Sequence, residues 1–515
     1  MNFKEKLTRA LNLSEEEFDN LSKDVSISDI ENPSNFKNID KALERIKKGI
    51  DNKEKIMIYG DYDCDGICSV SILVKTFNLL NYPVGYYVPS RYKDGYGISE
   101  NMIDIIHKKG YKLIITVDNG VSQLEALKKA KEYGIDVIVT DHHEILRGLP
   151  DCYCLVHPFH KIKNEMAQCG AYVSFMLSIK LLNRIDKYLL VLASLATISD
   201  LMPLVGPNRI LVKEAINILQ EEKFPQIKML VDSDDIDEKD LGFSLAPKIN
   251  AIGRVKEDLS INNVVKYFTS VDTSEQVKLA NYINSVNDMR KSMCQEAYNN
   301  LNLEVYKDDL VVVCYIPSLK EGLIGLVAAR ILNMVNKPAV VFTKSENSLL
   351  KGSARSLDGF SLADAFTRLS NLIEVYGGHA LAGGLTIKEE KLDSFKTEIN
   401  KLAFGKEIKK KEKITISMDK EDFNYENYLI YKKIGPFGEG FEEPQFEYRI
   451  KTTEISFIGN MKQHIRGIIN NECSFIHFNV DKSKLVNEQI TLIGRMELDK
   501  YRGKNYLSFV VSQII

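Results

Sequence analysis

KIMIYGDYDCDG, residues 55–66, decides the fold. A mostly apolar run of strand length ends in Gly60, and Asp61, Asp63 and Asp65 follow before a second glycine, Gly66. Short apolar runs bounded by glycine read as buried strands. Residues two apart in extended chain point the same way, so three alternating carboxylates at such an end can converge on one spot. Working outward, a helix follows from Gly66 through Leu80, and YPVGYYVP (82–89) is strand-like. SENMIDIIHKKG (99–110) has helical spacing and a closing glycine. KLIITV (112–117) is a strand, QLEALKKAKEYG (123–134) a helix and IDVIVT (135–140) a strand. Strands alternating with helices of this length predict a parallel, doubly wound sheet.

The acidic residues fall at the ends of those strands. VDNG places Asp118 directly after KLIITV, TDHH places Asp141, His142 and His143 directly after IDVIVT, and SDLMPL adds Asp200 further on. Strand C-termini of a parallel sheet lie along one edge, where open α/β proteins place their sites. Such a density of carboxylates in one crevice requires cations, because like charges repel strongly in a low dielectric. Oxygen ligands with one or two imidazoles suit Mn²⁺ or Mg²⁺, and two such ions are the usual apparatus for in-line displacement at phosphorus. Taken singly, DxDxDG reads as a calcium loop or a turn, DNG as a turn, and DHH as a helix cap. Each at the end of its own strand, they leave chance a poor explanation.

Composition sets the frame. At 515 residues, with 44% hydrophobic and 27% charged residues, the chain reads as a soluble protein of three or four domains. Its apolar runs fall short of a membrane span and its N-terminus has no apolar signal region, so a cytoplasmic location is expected. The eight cysteines lack paired zinc spacing and read as scattered thiols. A net charge of −3 excludes a histone-like binder but not an enzyme with a local basic channel.

Further motifs suggest anion binding. KGSARS (351–356) offers backbone amides, Ser353 and Arg355; YGGHALAGG (376–384) offers a glycine-rich turn with His379; NAIGR (250–254) offers Arg254. SRYKDGYG (90–97) sets Arg91 beside tyrosines, as in a single-strand groove. Singly, the glycines equally mark a tight turn, and 90–97 equally a solvated loop. Residues 170–300 read as mainly helical, ending in a long helix that connects two lobes. LVVVCYI (310–316), GLVAARILNMV (325–335) and PAVVF (338–342) form a second βαβ unit. KEIKKKEK (406–413) reads as a solvated linker, with a nucleic-acid contact as the second reading, and the alternating segments beyond it as an OB-type barrel, with a sandwich as the alternative.

GDYDCDG, VDNG, TDHH and SDLMPL, in this order, resemble the four motifs of the DHH phosphoesterase superfamily. KGSARS and GGHALAGG resemble the second lobe, DHHA1, of one branch of it. NAIGR, EGLIGLVAARI, IGPFGEGFEEP and the β-rich end resemble the RecJ-type exonucleases in particular, over nearly the whole chain from residue 50 onward. The resemblance implies two α/β lobes joined by a long helix, plus an OB-like domain. The expected division is a helical segment 1–45, a DHH domain 46–205, a helical connector 206–305, a DHHA1-like domain 306–395 and an OB-like domain 414–515.

It also implies roles. Metal ligation falls to Asp61, Asp63, Asp65, Asp118, His142 and Asp200, with His143 beside the phosphate or metal and Asp141 in support. Catalysis is carried by Asp63, Asp65, Asp118, His142, His143 and His379. Arg91, Arg254, Ser353, Arg355 and His379 hold substrate. The implied activity is Mn²⁺- or Mg²⁺-dependent 5′→3′ hydrolysis of single-stranded DNA to mononucleotides in repair and recombination, in company with a helicase and a single-strand-binding protein and without a membrane. Two departures bear on substrate handling: Leu319-Lys320-Glu321-Gly322 where the family often has Trp-His before the glycine, and Phe441 at its usual asparagine. The alternatives are a DHH enzyme acting on short oligonucleotides or cyclic dinucleotides, which generally lacks the β-rich end, and a non-enzymatic scaffold, which loses the acidic positions retained here.

Overall fold

The computed structural model describes residues 1–515 except 93, 147, 163–164, 256–259, 346–347 and 502–503. Its described residues fall into two compact units. One comprises 31–202 and 215–411; the other comprises 1–30, 203–214 and 412–515.

The larger unit holds two sheets. The first contains β1 (Lys55–Tyr59), β2 (Gly85–Tyr87), β3 (Tyr111–Val117), β4 (Asp136–Thr140) and β5 (Cys154–Val156), in the order β2-β1-β3-β4-β5. All four pairings are parallel. The chain leaves β1 for β2 on one side and then crosses to β3 on the other, so a crevice opens at the C-terminal ends of β1 and β3. Three helices are apolar nearly all round and correspondingly buried: Cys64–Leu79, Gly170–Leu182 and Lys187–Ser199. The 27-residue helix Thr273–Asn299 is the expected connector.

The second sheet contains β6 (Val312–Tyr315), β7 (Ala339–Lys344), β8 (Leu349–Arg355), β9 (Val375–Gly378) and β10 (Ala382–Lys388), in the order β6-β7-β8-β10-β9. β6 and β7 are parallel, as a βαβ unit with helix Glu321–Val335 between them requires; the remaining pairs are antiparallel. KGSARS therefore lies within a strand flanked on both sides, and GGHALAGG forms a hairpin. The KGSARS amides within β8 serve the ladders on its two sides, which corrects the expectation that they stand free for an anion. KEIKKKEK is likewise only partly a linker: Lys409 donates its amide to the Asp358 carbonyl at 3.0 Å, and Ile408 packs on the core of this sheet.

The smaller unit is built on a seven-stranded sheet ordered β11-β12-β16-β17-β15-β14-β13. Its strands are β11 (Thr415–Ser417), β12 (Gln445–Lys451), β13 (Ser456–Ile458), β14 (His464–Ile468), β15 (Cys473–His477), β16 (Gln489–Tyr501) and β17 (Lys504–Ile514). Phe3, Leu7 and Phe18 enter its core beside Phe446, Phe475 and Phe509. The N-terminal segment read as 1–45 is thus divided, with 1–30 in this unit and the remainder in the other.

Candidate active site

Asp63 caps the helix Cys64–Leu79, its Oδ1 accepting the amides of Asp65 (3.0 Å) and Gly66 (3.1 Å). Gly66 has no alternative, since a Cβ there would lie 2.4 Å from the Asp61 carbonyl oxygen. Asp65 is buried and accepts the amides of Gly170 and Ala171, both at 2.7 Å, so the N-terminus of the helix Gly170–Leu182 stabilises its negative charge. Asp118 follows β3 in the left-handed region, φ 60°. His142 Nε2 stands 3.0 Å from Asp118 Oδ1, 3.5 Å from Asp65 Oδ2 and 3.6 Å from Asp200 Oδ2. The 3.0 Å approach lacks hydrogen-bond alignment, and Asp118 Oδ1 and Asp61 Oδ1 are buried without a partner.

Those orphaned oxygens are the local argument for a cation. Burial, then the charge of Asp63, pushes the Asp61 carboxyl up to about 8. Burial and then Asp65 do the same to Asp200, also to about 8. Asp63 and Asp118 are raised for the same two reasons, burial first and the Asp65 charge second. Burial lowers His142, leaving a neutral imidazole, the form that ligates metals. Three groupings bring ligand atoms within 4.8 Å of one another: Asp118, His142 and His143; Asp65, His142 and Asp200; and Asp61, Asp63 and Asp118. Oxygens in the majority with one or two imidazoles fit Mn²⁺ or Mg²⁺.

Asp141 organises the loop. Its Oδ1 accepts the His142 amide (2.7 Å) and pairs with His143 Nδ1 (2.8 Å), while Oδ2 accepts the Val121 amide (2.9 Å). Burial opposes its charge, but the His143 hydrogen bond and charge outweigh burial and hold the carboxyl below its ordinary value. His143 is driven down by burial and up more strongly by Asp141, to about 9. Sequence reasoning missed three supports. The Tyr96 hydroxyl lies 3.1 Å from the His143 ring nitrogens, His157 Nε2 lies 2.9 Å from the His143 carbonyl, and Asn250 Oδ1 accepts the Cys64 amide at 2.9 Å. Asn250 and Tyr96 left a trace, inside NAIGR and SRYKDGYG; His157 left none.

The expected anion-binding residues come together beside this cluster. Arg91, Arg254, Ser353 and Arg355 line one cavity of 610 Å³. The Arg91 guanidinium lies 4.5 Å from the Tyr62 ring, between Asp61 and Asp63 in sequence. Arg254 Nη1 donates to the Gly322 carbonyl at 3.3 Å, and Ser353 Oγ accepts from Arg355 Nη1 at 3.3 Å. Burial, then Arg91, presses Arg254 down to about 10, with Arg355 and Arg290 adding and Asp63 opposing. Lys93 of the same motif lies outside the described residues. His379 is not brought in: it sits exposed at the β9–β10 turn and is absent from the cavity wall.

The two departures have packing explanations. Leu319 is buried and Lys320 occupies the N-cap position of the helix Glu321–Val335, its side chain making no capping hydrogen bond. Phe441 stacks on Phe437 with ring centroids 5.4 Å apart and lies under the Arg209 guanidinium at 4.9 Å.

Comparison with known proteins agrees with this architecture. Residues 55–197 match the DHH family, N-terminal domain; 308–403 match the DHHA1 domain; and 414–513 match the RecJ OB domain. The single-stranded-DNA-specific exonuclease RecJ of Bacillus subtilis is 31% identical over 93% of this chain, which spans 63% of that protein's length. The RecJ of Haemophilus influenzae is 29% identical, over 95% of this chain and 93% of its own. The solved structure of RecJ in complex with Mn²⁺ from Thermus thermophilus superposes with a TM-score of 0.82 at 22% identity, covering 99% of this chain and 77% of that one. With the DHH, DHHA1 and RecJ OB domains matched in this order along it, the chain belongs to the RecJ-type branch of the DHH phosphoesterase family.

Proposed function

We propose that the protein is a metal-dependent exonuclease that hydrolyses single-stranded DNA from its 5′ end to mononucleotides, in DNA repair and recombination. The observation that carries this reading is the arginine-lined cavity beside a carboxylate cluster in which Asp61 Oδ1 and Asp118 Oδ1 are buried without a partner. The cavity holds a terminal phosphate while the cluster faces the next phosphodiester. The OB-domain match supports a single-stranded partner and gives no support to the short-oligonucleotide alternative.

Asp61, Asp63, Asp65, Asp118, His142 and Asp200 would hold the ions. When bound, Mn²⁺ or Mg²⁺ supplies an acidified water and neutralises charge on the phosphoryl oxygens. The chain's own work is positional. Asp65 is pinned by two helix amides, His142 is kept neutral by burial, and Asp141 orients His143 toward the reacting group. Arg91, Arg254, Ser353 and Arg355 grip the 5′-phosphate bidentately and fix the register of the strand. His379, on its exposed turn, is assigned to the scissile phosphate of a seated strand. A cytoplasmic location, a helicase and a single-strand-binding protein complete the proposal. Among the described residues no helix is long and apolar enough to cross a membrane.

A time course on 5′-labelled and 3′-labelled single strands, a blunt duplex and an RNA dinucleotide, with Mn²⁺ and with EDTA, tests it. The expected result is immediate release of labelled mononucleotide from the 5′-labelled strand, with duplex spared and EDTA silent. Cleavage of the dinucleotide alone would transfer the chemistry to a different substrate.

A further inference from the structure

The arginine-lined cavity exceeds what one terminal phosphate needs. It is an open cleft of 610 Å³; at about 30 Å³ of liquid per molecule this is room for roughly twenty waters, of which a phosphate group displaces only a few. Its polar wall is also long. β8 turns Lys351, Ser353 and Arg355 to one side while Leu350, Gly352 and Ala354 are buried on the other. At about 3.4 Å per residue, the Lys351 position stands roughly 14 Å from that of Arg355, beyond the span of a single phosphate. Across the ladder, Thr386 faces Lys351 and Gly384 faces Ser353, so a hydroxyl and a bare backbone flank the intervening strip.

The charge is in excess as well. The Lys351 ammonium donates to both oxygens of Glu321, at 2.9 and 3.0 Å, and that pair is neutral. Among the described residues, Arg91, Arg254 and Arg355 have no carboxylate in ion-pair range; their contacts are a ring, carbonyls and the Ser353 hydroxyl. A phosphate monoester brings a charge of about −1.5 to −2, less than three guanidiniums ask for.

We propose that this cavity admits a 5′-terminal polyphosphate, so that the protein starts on strands ending in a 5′-triphosphate as readily as on those ending in a monophosphate. The inference rests on the exonuclease reading above and extends its substrate class. The α-phosphate takes the Arg355–Ser353 end. The β and γ groups run along β8 toward Lys351, which exchanges Glu321 for the terminal phosphate. The bond broken is unchanged. Water adds to the phosphorus joining the first and second nucleotides, and the 3′ oxygen of the first leaves and takes up a proton. The first product is an intact nucleoside triphosphate, and the remaining strand keeps a 5′-monophosphate.

One DNA sequence, labelled at its 3′ end and carrying a 5′-hydroxyl, monophosphate or triphosphate, provides the test. Binding is read by fluorescence anisotropy in EDTA, and KM and the first product in Mn²⁺. Kd and KM for the triphosphate strand should equal or fall below those of the monophosphate strand, with the hydroxyl strand worse by at least about tenfold. The first product should chromatograph as a nucleoside triphosphate. Inorganic tripolyphosphate should displace the monophosphate strand in EDTA at lower concentration than inorganic phosphate does. A triphosphate KM above the monophosphate value by about threefold or more, or a first product with a shortened phosphate chain, overturns the inference. A monophosphate strand left undegraded in Mn²⁺ overturns the exonuclease reading itself, so the two failures are distinct.

Discussion

Asp118 ends β3 in the left-handed region that aspartate tolerates better than most residues, and this turns its carboxylate back into the crevice beside His142. Replacing it by alanine should lower kcat by at least about 10²–10³-fold while single-strand affinity in EDTA is retained, because the arginines and Ser353 lie elsewhere. Near-normal turnover in Mn²⁺ would remove it from the centre. Arg355→Ala should act on the other half of the reaction. Losing a charge-assisted hydrogen bond of about 1.5–3 kcal/mol raises KM on 5′-phosphorylated strands roughly ten- to hundredfold, with kcat little changed. An unaltered KM would exclude it from the cavity. The acidic positions were legible because each follows an apolar strand. His157 was not, because an imidazole that touches the His143 loop from another segment leaves no pattern in its own, and SRYKDGYG gave Tyr96 a groove reading with no hint of its contact to His143.

The same residues make a pH prediction. The Asp61 and Asp200 carboxyls titrate at about 8 in the metal-free fold, against about 4 when unfolded. Between those values the native state holds protons that the unfolded chain has released, so unfolding stability falls as pH rises through about 8. His143, raised to about 9, works in the same direction against its unfolded value of about 6.5. Thermal melts in EDTA should therefore show Tm falling between pH 6 and pH 9. Saturating Mn²⁺ should flatten the fall, giving a metal-induced rise in Tm that grows with pH. A metal effect independent of pH would mean the cations bind away from these carboxylates.

At the scale of elements, the crevice depends on a helix end meeting a strand end. Gly170 opens the helix Gly170–Leu182 directly against Asp118, where a Cβ would fall 2.6 Å from the Asp118 Cβ and 2.8 Å from its Cα. Neither backbone can yield cheaply, so Gly170→Ala should cost about 1–3 kcal/mol of stability and shift the amide that holds Asp65. Calorimetric titration should then show weakened Mn²⁺ binding, and unchanged affinity would mean the helix end merely packs there. The sequence made β1, β3 and β4 readable through continuous apolar runs. It hid β5, only three residues long, and it hid β8 to β10, whose glycines carry no alternation of side chains and so resemble turns. The difference lies in the backbone: the amides of KGSARS serve strand ladders, while Ser353 and Arg355 still line the cavity.

At the scale of the whole molecule, the least legible feature is a partnership across some four hundred residues. Nothing local in MNFKEKLTRALNLSEEEF points to the β-rich end, because an amphipathic helix states only that it has an apolar face. Yet Phe3 and Phe446 stand 6.0 Å apart between ring centroids, Lys6 binds Asp419 and Asp422 at 2.6 Å each, and Leu7 and Phe18 are buried in the same core. Residues 203–214 join them: Arg209 donates to the carbonyls of Pro436 and Gly435 at 2.9 and 2.7 Å. The OB-type module is thus assembled from three separated segments. Residues 412–515 expressed alone should lack part of their core. The double substitution Phe3→Ala and Leu7→Ala in the full chain should destabilise this unit by roughly 5 kcal/mol or more, since each truncation costs about 2–5 kcal/mol. Limited proteolysis should then cut within 412–515 while 31–202 and 215–411 stay protected. Equal protection of both units in that variant would show that the N-terminal helices lie on the barrel without holding it together.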